Sequence, residues 1–401
     1  MTPLKTFIRD PFTWMAYSML AYYAYFMAIL GPLMPFLRSE LNLNYTVTGL
    51  HLSAFAVGMI GAGLLTDRLT GRWGRRPVFW VGGLGMALGA VGLTVSGQSF
   101  WSITSILAMG LLGTLMLALI QTTLSDHHGE QRVIALTESN VGASISASLA
   151  PVFVGNFERI GLGWRLALLL GVVAFVWLTL RFRRQLLPER QRGSSHSRAG
   201  SRPLPLVFWA YWFVICISVS VEWCLIFWGA DFLEKVIGLS QVSAATMMSI
   251  FFGAMVVGRF VGSRLTRILS GATLLLLAIG ITLVGFPLFW LARFAPLNLA
   301  GLFIAGLGVA NMFPLTLSVA LSVVPTQADV ASPRLSLGGG TAILLAPLVL
   351  GWTADQLNIQ NAYGIVALLA IIAAAVTFWA NRMATSHDKV LADENPVTCS
   401  E

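Results

Sequence analysis

Apolar runs of about twenty residues recur along the chain between short polar breaks. Twelve begin, near residues 12, 46, 77, 100, 132, 164, 204, 243, 270, 297, 334 and 361. That length matches a helix crossing a hydrocarbon core about 30 Å thick, where backbone groups must be satisfied within the segment. Alternating strand patterns do not occur, so every span is predicted to be helical. The run from Phe12 to Phe36 is too long for the apolar core of a signal peptide and is followed by no small-residue cleavage site, so the first helix is expected to stay. Asn44-Tyr45-Thr46 matches a glycosylation sequon but stands where the second helix needs an N-cap, and capping is the expected role.

The pattern also repeats. A shift of 196 positions brings Phe36-Leu37 onto Phe232-Leu233, and Ser53, Phe55 and Met59 onto Ser249, Phe251 and Met255. The same shift aligns Arg68-Leu69-Thr70 with Arg264-Leu265-Thr266, Gly110 with Gly306, and Leu149-Ala150-Pro151 with Leu345-Ala346-Pro347. One offset across several helix pairs predicts two similar six-helix bundles about an axis along the membrane normal, with a cavity between them. The predicted fold class is thus an all-α membrane protein with twelve helices in two pseudo-symmetric bundles. The expected divisions are 1–185 for the first bundle, 186–203 for a cytoplasmic linker, 204–385 for the second bundle and 386–401 for a tail. The linker segment is rich in Arg, Ser and Gly and has little apolar surface to fold on.

Composition agrees with lipid as the solvent: 56% of the 401 residues are hydrophobic and 10% charged, against roughly a quarter charged in soluble domains. The net charge of +8 could suit nucleic acid, but its distribution argues otherwise. With the amino terminus inside, outer turns hold only Arg38, Arg159, Arg165, Lys235 and Arg293, and nearly all other Lys and Arg fall on inner segments. That asymmetry predicts cytoplasmic termini, and the expected setting is a bacterial inner membrane. Cys216 and Cys224 lie eight residues apart on one helix, about 12 Å along its axis, and Cys399 is in the tail, so no structural disulfide is expected.

Charge between spans is concentrated in Gly63-Leu-Leu-Thr-Asp67-Arg68-Leu-Thr-Gly71-Arg72-Trp-Gly74-Arg75-Arg76. This segment resembles the signature loop joining helices 2 and 3 of the major facilitator superfamily, with Leu69 to Gly71 inserted before the basic pair. The resemblance implies that helix 2 meets helix 11 and helix 5 meets helix 8. It therefore implies an inner gate pairing Asp67 with Arg334 and Glu138 with Arg259 or Arg264, beside the basic residues Arg68, Arg72, Arg75 and Arg76. It also implies a cavity lined by helices 1, 4, 7 and 10. The substrate contacts it implies are Tyr17, Tyr22, Tyr23, Tyr25, Gln121, Asn140, Trp223, Trp228, Asn311, Pro314, Thr316 and Ser318. The Asn311-Met-Phe-Pro314 segment of helix 10 looks like the fucose permease-like branch, which implies a sugar-like solute.

Glu222 lies more than ten residues from either end of predicted helix 7. An acid there costs about 2.5–3.5 kcal/mol on insertion scales, so it should face protein or water. It is the candidate for proton coupling or for holding a polar substrate. Asp126-His127-His128-Gly129-Glu130 reads as a solvated turn rather than a metal site, since no third distant ligand is evident. No nucleophile and base stand close enough in sequence to indicate an enzyme, and no cofactor or metal is expected. The expected function is secondary active transport of a small polar solute, coupled to protons by symport, in a monomer whose other partner is membrane lipid. Its rivals are a proton-driven efflux antiporter for amphiphilic compounds and a non-transporting sensor or scaffold.

Overall fold

Uninterrupted apolar sequence builds twelve long helices and no strand in the computed structural model, which describes residues 7–188 and 203–394. The first half comprises α1 (Pro11–Leu41), α2 (Tyr45–Trp73), α3 (Arg75–Val95), α4 (Ser99–His128), α5 (Arg132–Arg159) and α6 (Arg165–Phe182). The second comprises α7 (Leu206–Lys235), α8 (Gln241–Leu265), α9 (Gly271–Leu291), α10 (Ala295–Ser322), α11 (Ala328–Leu357) and α12 (Gly364–Glu394). Eleven stretches are long and apolar enough to cross a membrane, and one of them, Ser99–Arg159 with 61 residues, is two spans, α4 and α5. A single 3-10 turn at Gly129–Gln131 separates the two.

Local signals set the helix ends. Asp10 caps α1 by accepting from the Thr13 N–H, with Pro11 at the first helical position. Asn44 caps α2 through the Val47 N–H, the role expected of it, and Ser240 caps α8 through the Ser243 N–H. Both cap and donor are thus related by the 196-residue shift. The signature segment is not a loop, however. α2 remains helical to Trp73, and the break is confined to Gly74, whose φ of 82° is a conformation that favours glycine. α11 begins six residues before the predicted start, with Pro333 inside it. The expected linker falls mostly on 189–202, outside the described residues, as does 395–401, while α12 continues past the expected boundary at 385 to Glu394.

The repeat governs packing as well as sequence. α1 packs on α5, α2 on α4 and α3 on α4; α7 packs on α11, α8 on α10 and α9 on α10 in the same way. A side chain at Gly110 would overlap the Phe55 carbonyl, and one at Gly306 would crowd the Phe251 carbonyl, so a small residue permits the same close crossing in each half. The halves meet where α1 crosses α7, α2 crosses α11 and α5 crosses α8. At Gly31 the α1 backbone lies against the Ile226 carbonyl and Phe227, the residue related to Gly31 by the shift. The α1–α7 crossing therefore sits on the pseudo-twofold axis.

The bundle has two ends: a basic end, with the α2–α3 and α8–α9 connections, and an opposite end, with the α1–α2 and α7–α8 connections. At the opposite end, Arg38 of α1 pairs with the fully buried Asp231 of α7 at 2.5 Å, and its guanidinium lies 4.4 Å from the centre of the Tyr45 ring. Asp355 of α11 accepts from the N–H groups of Tyr45 and Thr46 at the start of α2, and Gln241 donates to the Pro35 carbonyl. These contacts close that end.

Candidate functional site

Below the closed end, residues of α1, α2, α4, α5, α7 and α8 enclose a cavity of about 260 Å³ shared by the two halves. α1 contributes a stripe at helical spacing, Leu20, Tyr23, Ala24, Met27 and Ala28. Gln121 comes from α4, Asn140 and Ser144 from α5, Glu222, Trp223 and Ile226 from α7, and Phe252, Met255 and Arg259 from α8. Gln121, Asn140 and Arg259 are exposed, so the cavity opens toward the basic end.

Glu222 and Arg259 are the only charged side chains in this lining. Their closest approach is 3.9 Å, with Glu222 16% and Arg259 46% exposed. That separation is an ion pair without a hydrogen bond. Arg259 instead donates to the Ser144 hydroxyl at 3.0 Å, joining α8 of one half to α5 of the other. The Ser144 hydroxyl donates to the backbone carbonyl of Asn140, and the Asn140 side-chain amide donates to the Leu136 carbonyl. A carboxylate and a guanidinium thus face the same water-accessible space in a membrane-spanning region, which places titratable charge where a solute would bind.

Of the substrate contacts expected from sequence, Tyr23, Gln121, Asn140 and Trp223 line this cavity, and the others do not. Tyr22 and Tyr25 turn into the first bundle, where their hydroxyls donate to the Gly83 carbonyl of α3 at 3.0 Å and the Ala167 carbonyl of α6 at 2.7 Å. They border a separate, mostly apolar hollow of about 330 Å³ between α1, α5 and α6. Trp228 is fully buried and donates to the Pro347 carbonyl of α11. Asn311 donates to the Gly258 carbonyl at 2.8 Å and so fastens α10 to α8, while Ser318 is exposed elsewhere on α10. No residue of α10 is in this lining, to which α8 contributes Phe252, Met255 and Arg259. Met27, Met59, Ser144, Phe252 and Met255 were missed as contacts, although the i, i+3, i+4, i+7 stripe on α1 carries the signal for Met27.

The residues expected to form an inner gate do not pair with one another. Asp67, Arg68, Arg72, Arg264 and Arg334 form no ion pair among the described residues. Arg334 contributes its carbonyl to Trp212, and Arg264 lies over the Phe260 ring. Glu138 does not meet Arg259 or Arg264. Arg9, on the segment before α1, binds it through two nitrogens at 2.8 and 2.5 Å, and Tyr17 donates to it as well. The physical reason is reach: with the halves parted at the basic end, the nearest cation belongs to the same half. Arg75 pairs with Asp126 at 2.8 Å and Arg76 donates to the Arg183 carbonyl, so both brace the first half rather than span the gap.

The Asp126 to Glu130 segment is exposed at His127, Gly129 and Glu130, as expected, but its first three residues end α4 and only Gly129 and Glu130 belong to the turn. His127 contacts Asp10 at 2.8 Å and His128 contacts the Thr13 hydroxyl at 2.8 Å, clamping the start of α1 to the end of α4. No group of three metal-ligating side chains occurs among the described residues.

Comparison with known proteins agrees with this architecture. The chain is 26% identical over 366 residues to an uncharacterized MFS-type transporter of Yersinia pestis, covering 88% of this chain and 92% of the relative. It is also 26% identical over 367 residues to the multidrug resistance protein MdtL of Escherichia coli, covering 84% and 89%. Among solved structures, a bacterial homolog of the human lysosomal transporter Spinster, in an inward-facing and occupied conformation, superposes with a TM-score of 0.73 at 17% identity, covering 93% of this chain and 97% of that one. Residues 15–332 match the model of the Major Facilitator Superfamily. The twelve helices, their twofold repeat and this match together establish that the chain is an integral membrane protein belonging to the Major Facilitator Superfamily of transporters.

Proposed function

We propose that the chain is a proton-coupled secondary transporter that carries a small polar solute by alternating access, as a symporter. The observation that carries this reading is Glu222, whose carboxylate faces the shared cavity 3.9 Å from Arg259. An intramembrane acid in a cavity is costly unless it binds something, and a proton and a solute are what such a position offers. The positive-inside distribution supports placing the basic end and both termini in the cytoplasm. In that orientation the molecule is open to the cytoplasm, and Asp67, Glu138, Arg264 and Arg334 are parted because the inner gate is open. Closing it would release Glu138 from Arg9 and break Arg38–Asp231 on the other side. The sugar-like solute implied by the helix 10 segment lacks support from the cavity, since Asn311 binds the Gly258 carbonyl and no residue of α10 is in the lining.

Efflux of amphiphilic compounds is the second reading, favoured by Met27, Met59, Met255, Phe252 and Trp223 in the cavity wall and by the name of MdtL. Both readings use Glu222. The test is proton movement in reconstituted vesicles during solute-driven flux: wild type should acidify or alkalinise the lumen, and Glu222→Gln should abolish that signal. Retention of proton movement by Glu222→Gln would remove Glu222 from the mechanism.

A further inference from the structure

We propose that the solute is a small amphipathic monoanion, an acidic head group on an apolar body, and that it crosses together with one proton on Glu222. This rests on the proton-coupled reading above and names the substrate class of the same cavity. Three observations carry it. First, Arg259 is under-used: Glu222 is beyond hydrogen-bond distance at 3.9 Å, and the described partner of its guanidinium is one hydroxyl, Ser144, at 3.0 Å. A guanidinium has five N–H donors in a planar fork that fits an oxyanion in bidentate fashion.

Second, the cavity wall is divided. Arg259, Ser144, Asn140 and Gln121 provide a polar side, whereas Met27, Met59, Met255 and Phe252 provide an apolar one. Thioether side chains adapt to apolar bodies of varied shape. The volume of about 260 Å³ falls below the roughly 300–1,000 Å³ of sites for drug-sized ligands, which points to a small solute.

Third, the charges balance only for an anion. In the empty cavity Glu222 and Arg259 sum to zero, and this form must return across the membrane unloaded. With the proton on Glu222 and a monoanion on Arg259 the sum is again zero. A neutral solute carried with a proton leaves one positive charge in the closed cavity, and so does a cation bound while Glu222 stays ionised. Uncompensated charge in a low-dielectric interior is strongly disfavoured, so the neutral pair of states is the one that moves readily. The proton comes from the water on the side to which the cavity is open, and no bond other than O–H is made or broken.

The other groups near Glu222 do not alter this balance. Tyr23 of α1 faces the cavity with its hydroxyl near Thr114, Cys224 lies on α7 itself, and α10 bears no charged residue. Arg334 of α11 is level with Trp212, ten residues along α7 and about 15 Å from Glu222. Asp231 is nine residues away toward the closed end and is occupied by Arg38.

The test uses the full-length protein and matched solutes: benzoate, benzamide, benzyl alcohol and benzylamine, with hexanoate, hexanamide and hexylamine as a second series. Thermal stabilisation should be confined to the carboxylates, weaken at least tenfold in Arg259→Gln and recover in part in Arg259→Lys. Their apparent Kd should rise about tenfold per unit rise in pH while Glu222 is ionised, and become independent of pH in Glu222→Gln. Benzenesulfonate, which cannot cross a bilayer as a neutral acid, should enter vesicles down a proton gradient at a rate that a valinomycin-set potential does not change. Equal or stronger stabilisation by the amides or amines, or none by any carboxylate, overturns the anion class even if Glu222→Gln loses coupling. Anion binding that needs Arg259 but uptake that ignores the proton gradient instead overturns the coupled reading, and uptake that follows the potential overturns the neutral balance.

Discussion

Replacing Asp231 with Asn should loosen the closed end. Asp231 is fully buried, and Arg38, its partner at 2.5 Å, is 13% exposed. Removing one member of a buried pair costs about 3–5 kcal/mol, because the remaining charge is left uncompensated. Arg38 keeps its position over the Tyr45 ring, 4.4 Å away, and a cation over an aromatic face retains about 0.5–2 kcal/mol. The pair is also incompletely satisfied, since the second Asp231 oxygen and the Arg38 Nε have no hydrogen-bond partner. A net loss of about 2–3 kcal/mol follows, confined to the conformation in which this end is closed. At 1.4 kcal/mol per decade, the equilibrium should shift about 30- to 150-fold toward the conformation open at that end. Spin labels at Ser39 and Lys235, on a background lacking the native cysteines, report this as a longer distance population in double electron–electron resonance. Charge alone can be separated from side-chain bulk with the Arg38→Gln, Asp231→Asn double variant, which should shift less than Asp231→Asn. A distance distribution unchanged by Asp231→Asn would refute the reasoning, because the ion pair would then contribute nothing to closure.

Three further outcomes follow from the same structure. Gly31→Ala puts a methyl group against the Ile226 carbonyl, and overpacking of about 1–3 kcal/mol should open the same end, read by the same labels; an unchanged population would show that the crossing is not tight. Tyr25→Phe removes the donor to the Ala167 carbonyl and should cost about 1–3 kcal/mol of thermal stability with transport kept, whereas loss of transport at full stability would return Tyr25 to the solute. Asp10 lies outside the membrane; burial opposes its charge, but hydrogen bonds from Thr13 and His127 outweigh it and hold the carboxyl below its usual range. Its stabilisation of the α1 start is therefore complete above its unfolded pKa of about 4 and is lost as the pH falls through the lower folded value. The protection factors of the Thr13 and Trp14 amides, which correct for the slower intrinsic exchange in acid, should fall on acidification in wild type but not in Asp10→Asn.

The two halves of the candidate site differed in how readable they were. Glu222 was visible because an acid in mid-span is costly wherever its helix faces, so one residue in one apolar run was enough. The tyrosines were not, because neighbouring positions on a helix point about 100° apart: Tyr23 faces the cavity, while Tyr22 and Tyr25 face α3 and α6. Arg38 and Asp231 lie 193 residues apart, and no local pattern links them. Glu138 was assigned a distant arginine, yet Arg9 holds it, since the pairing of exposed charges depends on which state the halves occupy.

What the sequence determined by itself is the number of spans, their caps and the twofold repeat. Each of these follows from local rules: apolar length against the bilayer, backbone groups that must be satisfied within one segment, and Asn44 and Ser240 standing just before their helices. The tertiary structure alone decided which face of each helix meets the cavity, that α8 rather than α10 supplies part of its wall, and that Arg38 and Asp231 close one end while Asp67 and Arg334 stand apart. Those outcomes depend on the rotation of rigid helices and on the relative tilt of two bundles. Apolar composition leaves both unspecified, because lipid-facing and bundle-facing positions are written in the same residues.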